Sequence, residues 1–452
     1  MPRRISLVIL MWAAIYLPWL GTSGLRSEEG HRVLPAVEML GSGNYLVPHI
    51  GGQPYLRKPP LINWLVAASF KISGYQNEWS ARFPSIVSVL IVALVFVILT
   101  PSILGESGSF VAALGWLTSL GMIEKGRMIE IEAVYVSLFA LAFLCWLTWW
   151  RTKRSPWLAW FAPWVFLGLG LLAKGPALLL FFYALVTTIL LRTKRLREIF
   201  CLQHSLGILL MLAIFAGWAI PFSNATRVDQ ISQTWSNELL NRFTGSEGTF
   251  NDWLLNFPLA LAYFLPLGLA LPFLRFAKMP GEEGEIARGL FFGAAVPFIL
   301  ILMLPGAIQR YVLPTLIPAC CLLGLAVKSN SFEWKLPRVV VVAAMLVIFI
   351  GAIIIFPWRS ATVQKQRPAY DADAAPINEV VRAQEKLYAI DPGYQPLLFY
   401  VRAPIVYLAR IDQVPPAAHY VIVRQNPPID AELVLRTKRF RGHELLLYRL
   451  NR

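Results

Sequence analysis

Long apolar runs separated by short polar segments fill most of the chain before residue 358. Several of these runs reach the roughly 20 residues that a helix needs to cross a hydrocarbon core of about 30 Å, and about eleven crossings are predicted. An odd number of crossings places the two chain ends on opposite sides of a membrane. The predicted crossings are 5–22, 83–100, 108–123, 132–150, 157–173, 176–191, 205–222, 254–274, 287–305, 310–327 and 338–357.

Short basic loops give the expected orientation, because loops rich in Lys and Arg stay on the cytoplasmic side. Five basic groups begin at Arg3, Arg151, Arg192, Arg275 and Lys328, and all five fall on one side of the eleven-span arrangement. We therefore predict a multi-pass protein of the inner (plasma) membrane. Its N-terminus is expected in the cytoplasm, and its C-terminal tail on the extracytoplasmic side.

Polar regions interrupt and follow these runs. Residues 23–82 form a long extracytoplasmic loop, with apolar residues spaced for two short helices lying along the membrane surface. Residues 223–252 form a second polar loop on that side. The composition changes at Trp358, so we divide the chain into a membrane domain, 1–357, and a tail domain, 358–452.

The tail has a mixed pattern. Residues 376–389 show the apolar spacing of a helix. Short apolar runs divided by Pro and Gly follow, as is typical of strands. The tail is therefore predicted to be a small α/β domain. The runs are 396–401, 405–409, 419–424 and 444–449.

Composition agrees with a membrane protein. Hydrophobic residues make up 57% of the 452 residues and charged residues only 15%, whereas soluble domains carry about 25% charged residues. The net charge of +15 would suit a nucleic-acid binder, but much of the excess lies in the short basic loops, where topology signalling explains it. The four cysteines and five histidines are too scattered for a disulfide framework or a metal cluster, so we predict no metal and no cofactor.

An acidic pair, Glu28-Glu29, follows the first predicted crossing by a few residues. Partial loss of solvation at a membrane surface makes a carboxylate a better general base. The pattern also fits a solvated loop pair that marks the end of a helix. The pair alone does not decide between these readings.

Two cations in the same loop, Arg57 and Lys58, precede Pro59 and Pro60. The prolines restrict the backbone, so the cations lie on a stiff extended segment. Such placement suits a clamp for a leaving phosphate, whose charge grows from one to two during transfer. Attachment to lipid headgroups by snorkelling side chains explains the pattern equally well.

Further charged residues lie at the mouths of later crossings. Glu130 and Glu132 open the fourth crossing, Lys174 lies in a short turn between two long apolar runs, and Arg310 opens another crossing. Charged residues at such positions are costly unless they are paired or functional. Each alone fits a topological remnant, but their convergence on the face that carries Glu28 favours a site.

Short motifs around these residues form an ordered set. They are Glu28-Glu29-Gly30, Glu38-Met39-Leu40, Gly43-Asn44-Tyr45, Pro48, Lys58-Pro59-Pro60-Leu61, Trp64, Ala81-Arg82-Phe83-Pro84, Arg127 through Glu132, Leu172 through Pro176, Asn237 through Phe243 and Arg310 through Pro314. In this order they resemble the dolichyl-phosphate-mannose protein mannosyltransferase-like family, which includes the bacterial lipid A aminoarabinose transferases. Together they cover most of the membrane region and are more specific than any one alone.

The resemblance implies a GT-C fold, a multi-span glycosyltransferase that takes a sugar from a polyprenyl-phosphate donor on the extracytoplasmic face. The family's Asp-Glu pair falls on Glu28 and Glu29, so a glutamate replaces the usual aspartate and the choice of catalytic glutamate stays open. The family's two phosphate-binding lysines fall on Lys58 and Lys174. A second loop acid, usually Asp, falls on Glu132.

The expected reaction is a single displacement at the anomeric carbon of the sugar. Glu28 or Glu29 accepts the proton of the acceptor hydroxyl or orients a reactant. An arginine often found two residues after the acidic pair is replaced by His31, and the adjacent Arg32 is the expected substitute. The cations expected at the carrier phosphate are Lys58, Arg57, Lys174, Arg82, Arg310 and Arg32.

Several alternatives stay open. The sugar can be a hexose or a pentose, and the acceptor a lipid, a glycan or a protein. A flippase or transporter of lipid-linked sugars would also need many spans and basic groups, but such proteins often show repeated halves, and no repeat is evident here. Glutamate at both acidic positions also fits a catalytically inactive, acceptor-binding relative.

Overall fold

The computed structural model describes residues 2–26, 28–226, 249–331, 370–425 and 431–451, with five single residues and the pair 350–351 between the longer stretches. Most of the loop predicted at 223–252 and nearly all of the crossing predicted at 338–357 lie outside the described residues. The described chain is mainly helical, with a small sheet close to its C-terminus.

Helices occupy most of the apolar sequence. The α-helices are α1 (Pro2–Tyr16), α2 (Gly30–Ser42), α3 (Leu61–Ser73), α4 (Glu78–Leu99), α5 (Pro101–Thr118), α6 (Leu120–Gly126), α7 (Ile131–Arg151), α8 (Pro156–Trp160), α9 (Pro163–Ala173), α10 (Ala177–Arg192), α11 (Leu202–Ala225), α12 (Phe250–Ala262), α13 (Gly281–Leu302), α14 (Leu316–Lys328) and α15 (Tyr370–Val380). Short 3₁₀ helices cover Leu196–Phe200, Leu267–Phe273, Phe276–Lys278, Gln309–Thr315, Pro396–Tyr400 and Ile411–Gln413.

Six helical segments of the described chain are long and apolar enough to cross a membrane. They are α4, α7, Pro156–Ala173, α11, α13 and Gln309–Lys328. Two more candidates are bent pairs, α5 with α6 at 55° and α12 with Leu267–Phe273 at 90°. The continuous runs predicted at 108–123 and 254–274 are thus broken. At the first break Ser119 is extended, and its hydroxyl accepts a hydrogen bond from the Met122 N–H, which starts a new helix.

Contacts divide the chain into two compact units. Unit 1 comprises Met1–Pro18, Arg57–Leu61 and Pro84–Pro357, and unit 2 comprises Trp19–Leu56, Ile62–Phe83 and Trp358–Arg452. The division predicted from the sequence, a membrane domain and a tail meeting at residue 357, stays a prediction.

Unit 1 is a helical bundle with α7 in its interior. In the most apolar stretch of α7, 94% of the residues are buried, compared with 22% in that of α11. Helix α11 therefore lies at the periphery. Helices α5 and α14 approach closely at Gly108 and Gly324, where a Cβ on Gly108 would stand 2.2 Å from the Gly324 carbonyl oxygen. Small residues allow such close packing of membrane helices, so alanine at Gly108 would push the two helices apart.

Unit 2 contains the short helices α2 and α15, nearly all of α3, and a five-stranded sheet. The loop before α3 forms the small hairpin of β1 (His49–Ile50) and β2 (Gln53–Pro54). The strands of the sheet are β3 (Leu387–Ile390), β4 (Ile405–Leu408), β5 (Tyr420–Val423), β6 (Ala431–Arg436) and β7 (Leu446–Leu450). Their order is β4-β3-β5-β7-β6, with β3 parallel to β4 and β5, and β7 antiparallel to β5 and β6.

The sheet segment and the long loop share hydrogen bonds inside unit 2. The Tyr400 hydroxyl accepts a bond from the Leu25 N–H at 2.7 Å and donates one to Glu78 Oε1 at 2.8 Å. Tyr400 therefore ties the start of the loop and the start of α4 to the C-terminal part of the chain.

The tail prediction needs three corrections. The helix expected at 376–389 ends at Val380, and Leu387–Ile390 forms a central strand instead, because its four residues pair with strands on both sides. The run at 396–401 is mostly a 3₁₀ helix. Strand β6 was not predicted. A mixed α/β tail is confirmed.

Candidate active site

Glu29 and Arg82 form a buried ion pair in unit 2. Glu29 is 0% and Arg82 is 2% exposed. Arg82 Nε donates to Glu29 Oε1 at 3.0 Å and Arg82 Nη2 to Glu29 Oε2 at 2.8 Å, which is the bidentate geometry of a strong arginine–carboxylate pair. Further partners of the pair are the Arg26 N–H and the carbonyl oxygens of Leu20, Ser23 and Gly24.

The pair fixes the loop that precedes α2. Arg82 belongs to the first turns of α4, and its guanidinium gathers backbone groups of residues 20–26. Glu29 is the residue before α2 begins, and its carbonyl accepts the N–H groups of Arg32 and Val33. The two side chains therefore hold the end of the loop, and the Glu29 carbonyl accepts the first hydrogen bonds of the helix.

Glu28, next to this pair, has a different environment. Its side chain is 53% exposed, with Oε1 3.5 Å from Arg441 Nη2 and Oε2 3.7 Å from His31 Nδ1. These distances are longer than hydrogen bonds to a carboxylate. Glu28 can therefore approach a reactant while keeping two cationic or ionisable neighbours.

Arg32 is half-buried and reaches toward Tyr55. Its Nη1 donates to the Tyr55 hydroxyl at 3.0 Å, and the Arg32 carbonyl accepts from Asn63 Nδ2 at 2.9 Å. Arg32 therefore connects α2 to the segment before α3 and to α3 itself.

Glu38 is a buried carboxylate that the sequence named only as part of a motif. It accepts the N–H of Gly51 at 2.6 Å and of Gly52 at 3.1 Å. Both glycines have positive φ, 63° and 77°, which forms the turn of the β1–β2 hairpin. Burial raises the pKa of Glu38 to about 7, against which the two N–H bonds act.

The pKa of Glu38 predicts a pH-dependent stability. A buried acid whose folded pKa lies above its ordinary value of 4.5 favours folding most when it is protonated, so stability falls as the pH rises from about 4.5 to about 7. Glu38→Gln should flatten this fall, as thermal unfolding in detergent across pH 4 to 8 can show. Glu432→Gln, at an exposed position of β6, is the control; parallel wild-type and Glu38→Gln curves would contradict the assignment.

Unit 1 brings Glu132, Lys174 and Arg310 together. Lys174 Nζ donates to Glu132 Oε1 at 2.9 Å, and Arg310 Nε lies 3.4 Å from the same oxygen. Lys174 follows the last residue of α9, Glu132 lies in the first turn of α7, and Arg310 lies in the 3₁₀ helix before α14. The Lys174 ammonium also stands over the rings of Tyr311, at 4.7 Å, and Tyr135, at 5.5 Å.

This cluster continues into a second group of charges. Arg310 Nη1 lies 3.6 Å from Glu130 Oε2, which lies 3.2 Å from Lys125 Nζ, and Lys125 pairs with Glu124 at 2.8 Å. The cations and carboxylates thus alternate along one connected network. Its connected members are Glu124, Lys125, Glu130, Arg310, Glu132 and Lys174.

The two ends of α7 carry different charge clusters. Glu132 lies at its start, and Arg151 at its end pairs with Glu282 at 3.2 Å. Helix α7 has 21 residues, and a helix rises about 1.5 Å per residue, so the clusters stand roughly 30 Å apart. Arg192 and Lys328, from two other predicted basic loops, pair with Glu285 and Glu283 of the same helix, α13.

Arg57 and Lys58 lie just before α3 in unit 1. Arg57 is exposed, Lys58 is half-buried, and both following prolines are buried. The stiffness predicted for this segment stays a prediction. Among the described residues no group of three potential metal-binding side chains occurs.

A family comparison supports the predicted resemblance. Residues 57–220 match the family described as dolichyl-phosphate-mannose-protein mannosyltransferase. This range contains Lys58, Arg82, Glu132 and Lys174, while Glu28 precedes it.

Relatives in sequence include arabinosyl transferases. The chain is 25% identical over 383 residues to an undecaprenyl phosphate-alpha-4-amino-4-deoxy-L-arabinose arabinosyl transferase of Pseudomonas fluorescens. The matched region covers 82% of this chain and 68% of that protein. A protein of the same description from Pseudomonas aeruginosa is 22% identical over 377 residues, with 81% and 67% covered. These similarities confirm the resemblance to glycosyltransferases of this class.

Solved structures confirm the GT-C fold. ArnT from Cupriavidus metallidurans bound to undecaprenyl phosphate matches with a TM-score of 0.74 at 17% identity, over 99% of this chain and 97% of that chain. An oligosaccharyltransferase of Archaeoglobus fulgidus matches with a TM-score of 0.50 at 10% identity, over 93% and 69%.

Some residues of these clusters were not found from the sequence. Lys125 and Glu124 lie directly before the motif that starts at Arg127, and charges adjoining a span mouth were the available signal. Arg441 and Tyr394, which lie near Glu28 and His31, had no such signal because they are distant along the chain.

Proposed function

We propose that this integral membrane glycosyltransferase of the GT-C fold takes its sugar from a polyprenyl-phosphate donor. The observation that carries the proposal is the similarity over 383 residues to a transferase whose description names an undecaprenyl phosphate-linked aminoarabinose. We further propose a pentosyl donor, in keeping with the descriptions of these relatives, and a lipid acceptor. The transporter alternative receives no support from the comparisons.

The proposed reaction is one displacement at the anomeric carbon. The bond from that carbon to the carrier phosphate oxygen breaks, and a bond to the acceptor oxygen forms. The acceptor proton passes to a carboxylate, and the carrier leaves as a phosphate monoester. The phosphate gains one negative charge in this step, so cations around it stabilise the transition state more than the ground state.

We assign the acid–base role to Glu28 and a positioning role to Glu29. The support is geometric: Glu28 is 53% exposed, whereas both oxygens of Glu29 are engaged by Arg82 in a fully buried pair. A carboxylate that is enclosed and neutralised in this way is a poor proton acceptor for a substrate. By the same reasoning Arg82 orders the loop instead of binding the carrier phosphate.

We assign the carrier phosphate to the cations that the family resemblance implies. Lys174 supports this role best, because an ammonium carries three N–H donors, its partner Glu132 holds it at 2.9 Å, and 20% of its side chain is exposed. Glu132 then orients Lys174 and Arg310. Lys58 and Arg57, which belong to the same unit, complete the proposed set of phosphate ligands.

We also propose the orientation of the chain in the inner membrane. The ion pairs that join Arg151, Arg192 and Lys328 to α13 lie at one end of α7, and Glu132 lies at the other. This arrangement supports a cytoplasmic location for the basic loops and an extracytoplasmic one for Glu132 and Lys174. Labelling of single introduced cysteines from outside the membrane tests it.

Turnover of defined donors tests the function. Purified protein in lipid nanodiscs is supplied with pentosyl and hexosyl polyprenyl phosphates and a lipid A acceptor, and the free carrier phosphate is measured. We expect carrier release with a pentosyl donor, and sugar recovered on the acceptor. Movement of intact donor across the membrane without release would support a transporter, and absence of both with every donor would support an inactive relative.

Lys174→Met is expected to weaken donor binding. A hydrogen bond between charged groups contributes about 1.5–3 kcal/mol, which corresponds to a rise of roughly 10- to 100-fold in the KM for the donor. Initial rates over a range of donor concentrations give this value. Lys153→Met, at an exposed position just past the opposite end of α7, is the matched control, and an unchanged donor KM in Lys174→Met would exclude the phosphate role.

A further inference from the structure

Arg441 lies at the tip of a tight turn in unit 2. Phe440 and His443 exchange backbone hydrogen bonds at 2.7 and 3.0 Å, and the two residues between them, Arg441 and Gly442, have positive φ values of 49° and 83°. This is the backbone of a two-residue hairpin turn with both central residues left-handed, which favours glycine or asparagine. An arginine there adopts a conformation that costs free energy, and such positions often serve a function.

The Arg441 side chain takes part in a closed set of contacts around Glu28. Its guanidinium lies 3.5 Å from Glu28 Oε1 and 5.2 Å from the centre of the Tyr394 ring. The Tyr394 ring stacks on His31 with 3.7 Å between ring centres and an angle of 18° between planes. His31 Nδ1 lies 3.7 Å from the other Glu28 oxygen, which closes the set.

The Tyr394 ring contacts both Arg441 and His31. It also packs against Gly30, where a Cβ would stand 2.5 Å from the Tyr394 hydroxyl oxygen. Arg441 and His31 are thereby presented to separate oxygens of one carboxylate. With Arg441 at 3.5 Å from one oxygen and His31 at 3.7 Å from the other, the Glu28 carboxylate has a preferred direction despite its exposure.

A glutamate needs such support more than an aspartate does. It has one more rotatable bond, so an exposed Glu28 loses more conformational entropy when its carboxylate is fixed. A misplacement of about 1 Å at a reacting group can lower a rate by as much as 100-fold. A neighbour that holds the longer side chain therefore affects the rate without touching substrate.

We propose that Arg441, together with His31 across the Tyr394 ring, is a positioning residue for Glu28 and allows the longer acid to act in this chain. The inference rests on the proposed function of Glu28. Arg441 orients the carboxylate, and the acceptor proton still passes to Glu28. The C-terminal hairpin thus contributes to the chemistry through a residue that the family resemblance does not include.

A double-mutant cycle tests the positioning role. Arg441→Ala should lower kcat about 10-fold with little change in the donor KM, since only orientation is lost. In Glu28→Asp the shorter carboxylate no longer reaches Arg441, so adding Arg441→Ala should change kcat less than twofold. Arg441→Lys, which keeps the charge, should recover part of the rate. The control is Arg439→Ala on the same hairpin, because Arg439 faces Glu444 at 3.8 Å.

The possible results distinguish failure of the Arg441 positioning role from failure of the proposed transferase function. If the wild type releases no carrier, the proposed function fails. If the wild type is active and Arg441→Ala is as fast, or lowers kcat equally in the wild-type and Glu28→Asp backgrounds, the positioning role is excluded. Equal losses in Arg441→Ala and Arg439→Ala also exclude it. Thermal unfolding of each variant shows whether a rate loss comes from a loosened fold.

Discussion

Glu28→Gln is expected to reduce carrier release by roughly 10²- to 10⁴-fold, the range that a general acid–base group contributes. The amide keeps the size of the side chain but accepts no proton, so kcat should fall far more than the donor KM changes. Single-turnover release of the carrier phosphate in nanodiscs measures the effect.

Two further variants serve as controls for Glu28→Gln. Glu28→Asp restores a carboxylate and should retain much more activity than Glu28→Gln. Glu432→Gln removes an exposed carboxylate of the same unit and should leave turnover unchanged. Turnover of Glu28→Gln close to wild type would remove Glu28 from the chemistry, including any role for its neighbour Arg441.

Arg82→Met is expected to destabilise the protein by about 3–5 kcal/mol, because it leaves the buried charge of Glu29 without its partner. The double variant Glu29→Gln/Arg82→Met removes that charge and should recover part of the loss. Both changes in stability are measured by thermal unfolding in detergent, with the fraction of folded protein as the signal.

An exposed pair provides the control for Arg82. Arg410 pairs with Asp412 at 3.2 Å, with exposures of 72% and 62%, and Arg410→Met should change stability by less than about 1 kcal/mol. If Arg82→Met keeps wild-type stability but raises the donor KM, Arg82 binds the carrier phosphate, as the sequence suggested. Its proposed role in ordering the loop is then wrong.

Much of the membrane region could be predicted from the sequence, because a crossing depends mainly on the length and composition of an apolar run. The bends could not. The break between α5 and α6 depends on the extended backbone of Ser119 and its hydrogen bond to the Met122 N–H, which apolar periodicity does not encode. In the tail, the four residues Leu387–Ile390 suit either a helix or a strand, and only pairing with β4 and β5 decides between them.

The candidate site was predictable to a similar degree. Charged residues at the ends of predicted crossings indicated that Glu132, Lys174 and Arg310 converge. The structure brings the three within ion-pair distance. The sequence could not separate Glu28 from Glu29, because adjacent acids carry the same chemistry until burial distinguishes them. The buried partner of Glu29 is Arg82 of α4, which lies 53 residues further along the chain.

Unit 2 has a consequence for how the protein is made. The loop that carries Glu28 is synthesised early, yet Tyr400, which bonds Leu25 and Glu78, is synthesised near the end. Contacts between such distant segments form late and slowly. While the ribosome adds the intervening helices, the loop therefore stays without its partners from the tail. Unit 2 is complete only after the whole chain has been translated. A chain whose synthesis stops before Tyr400 keeps the early helices but lacks the tail's contacts with the loop that carries Glu28.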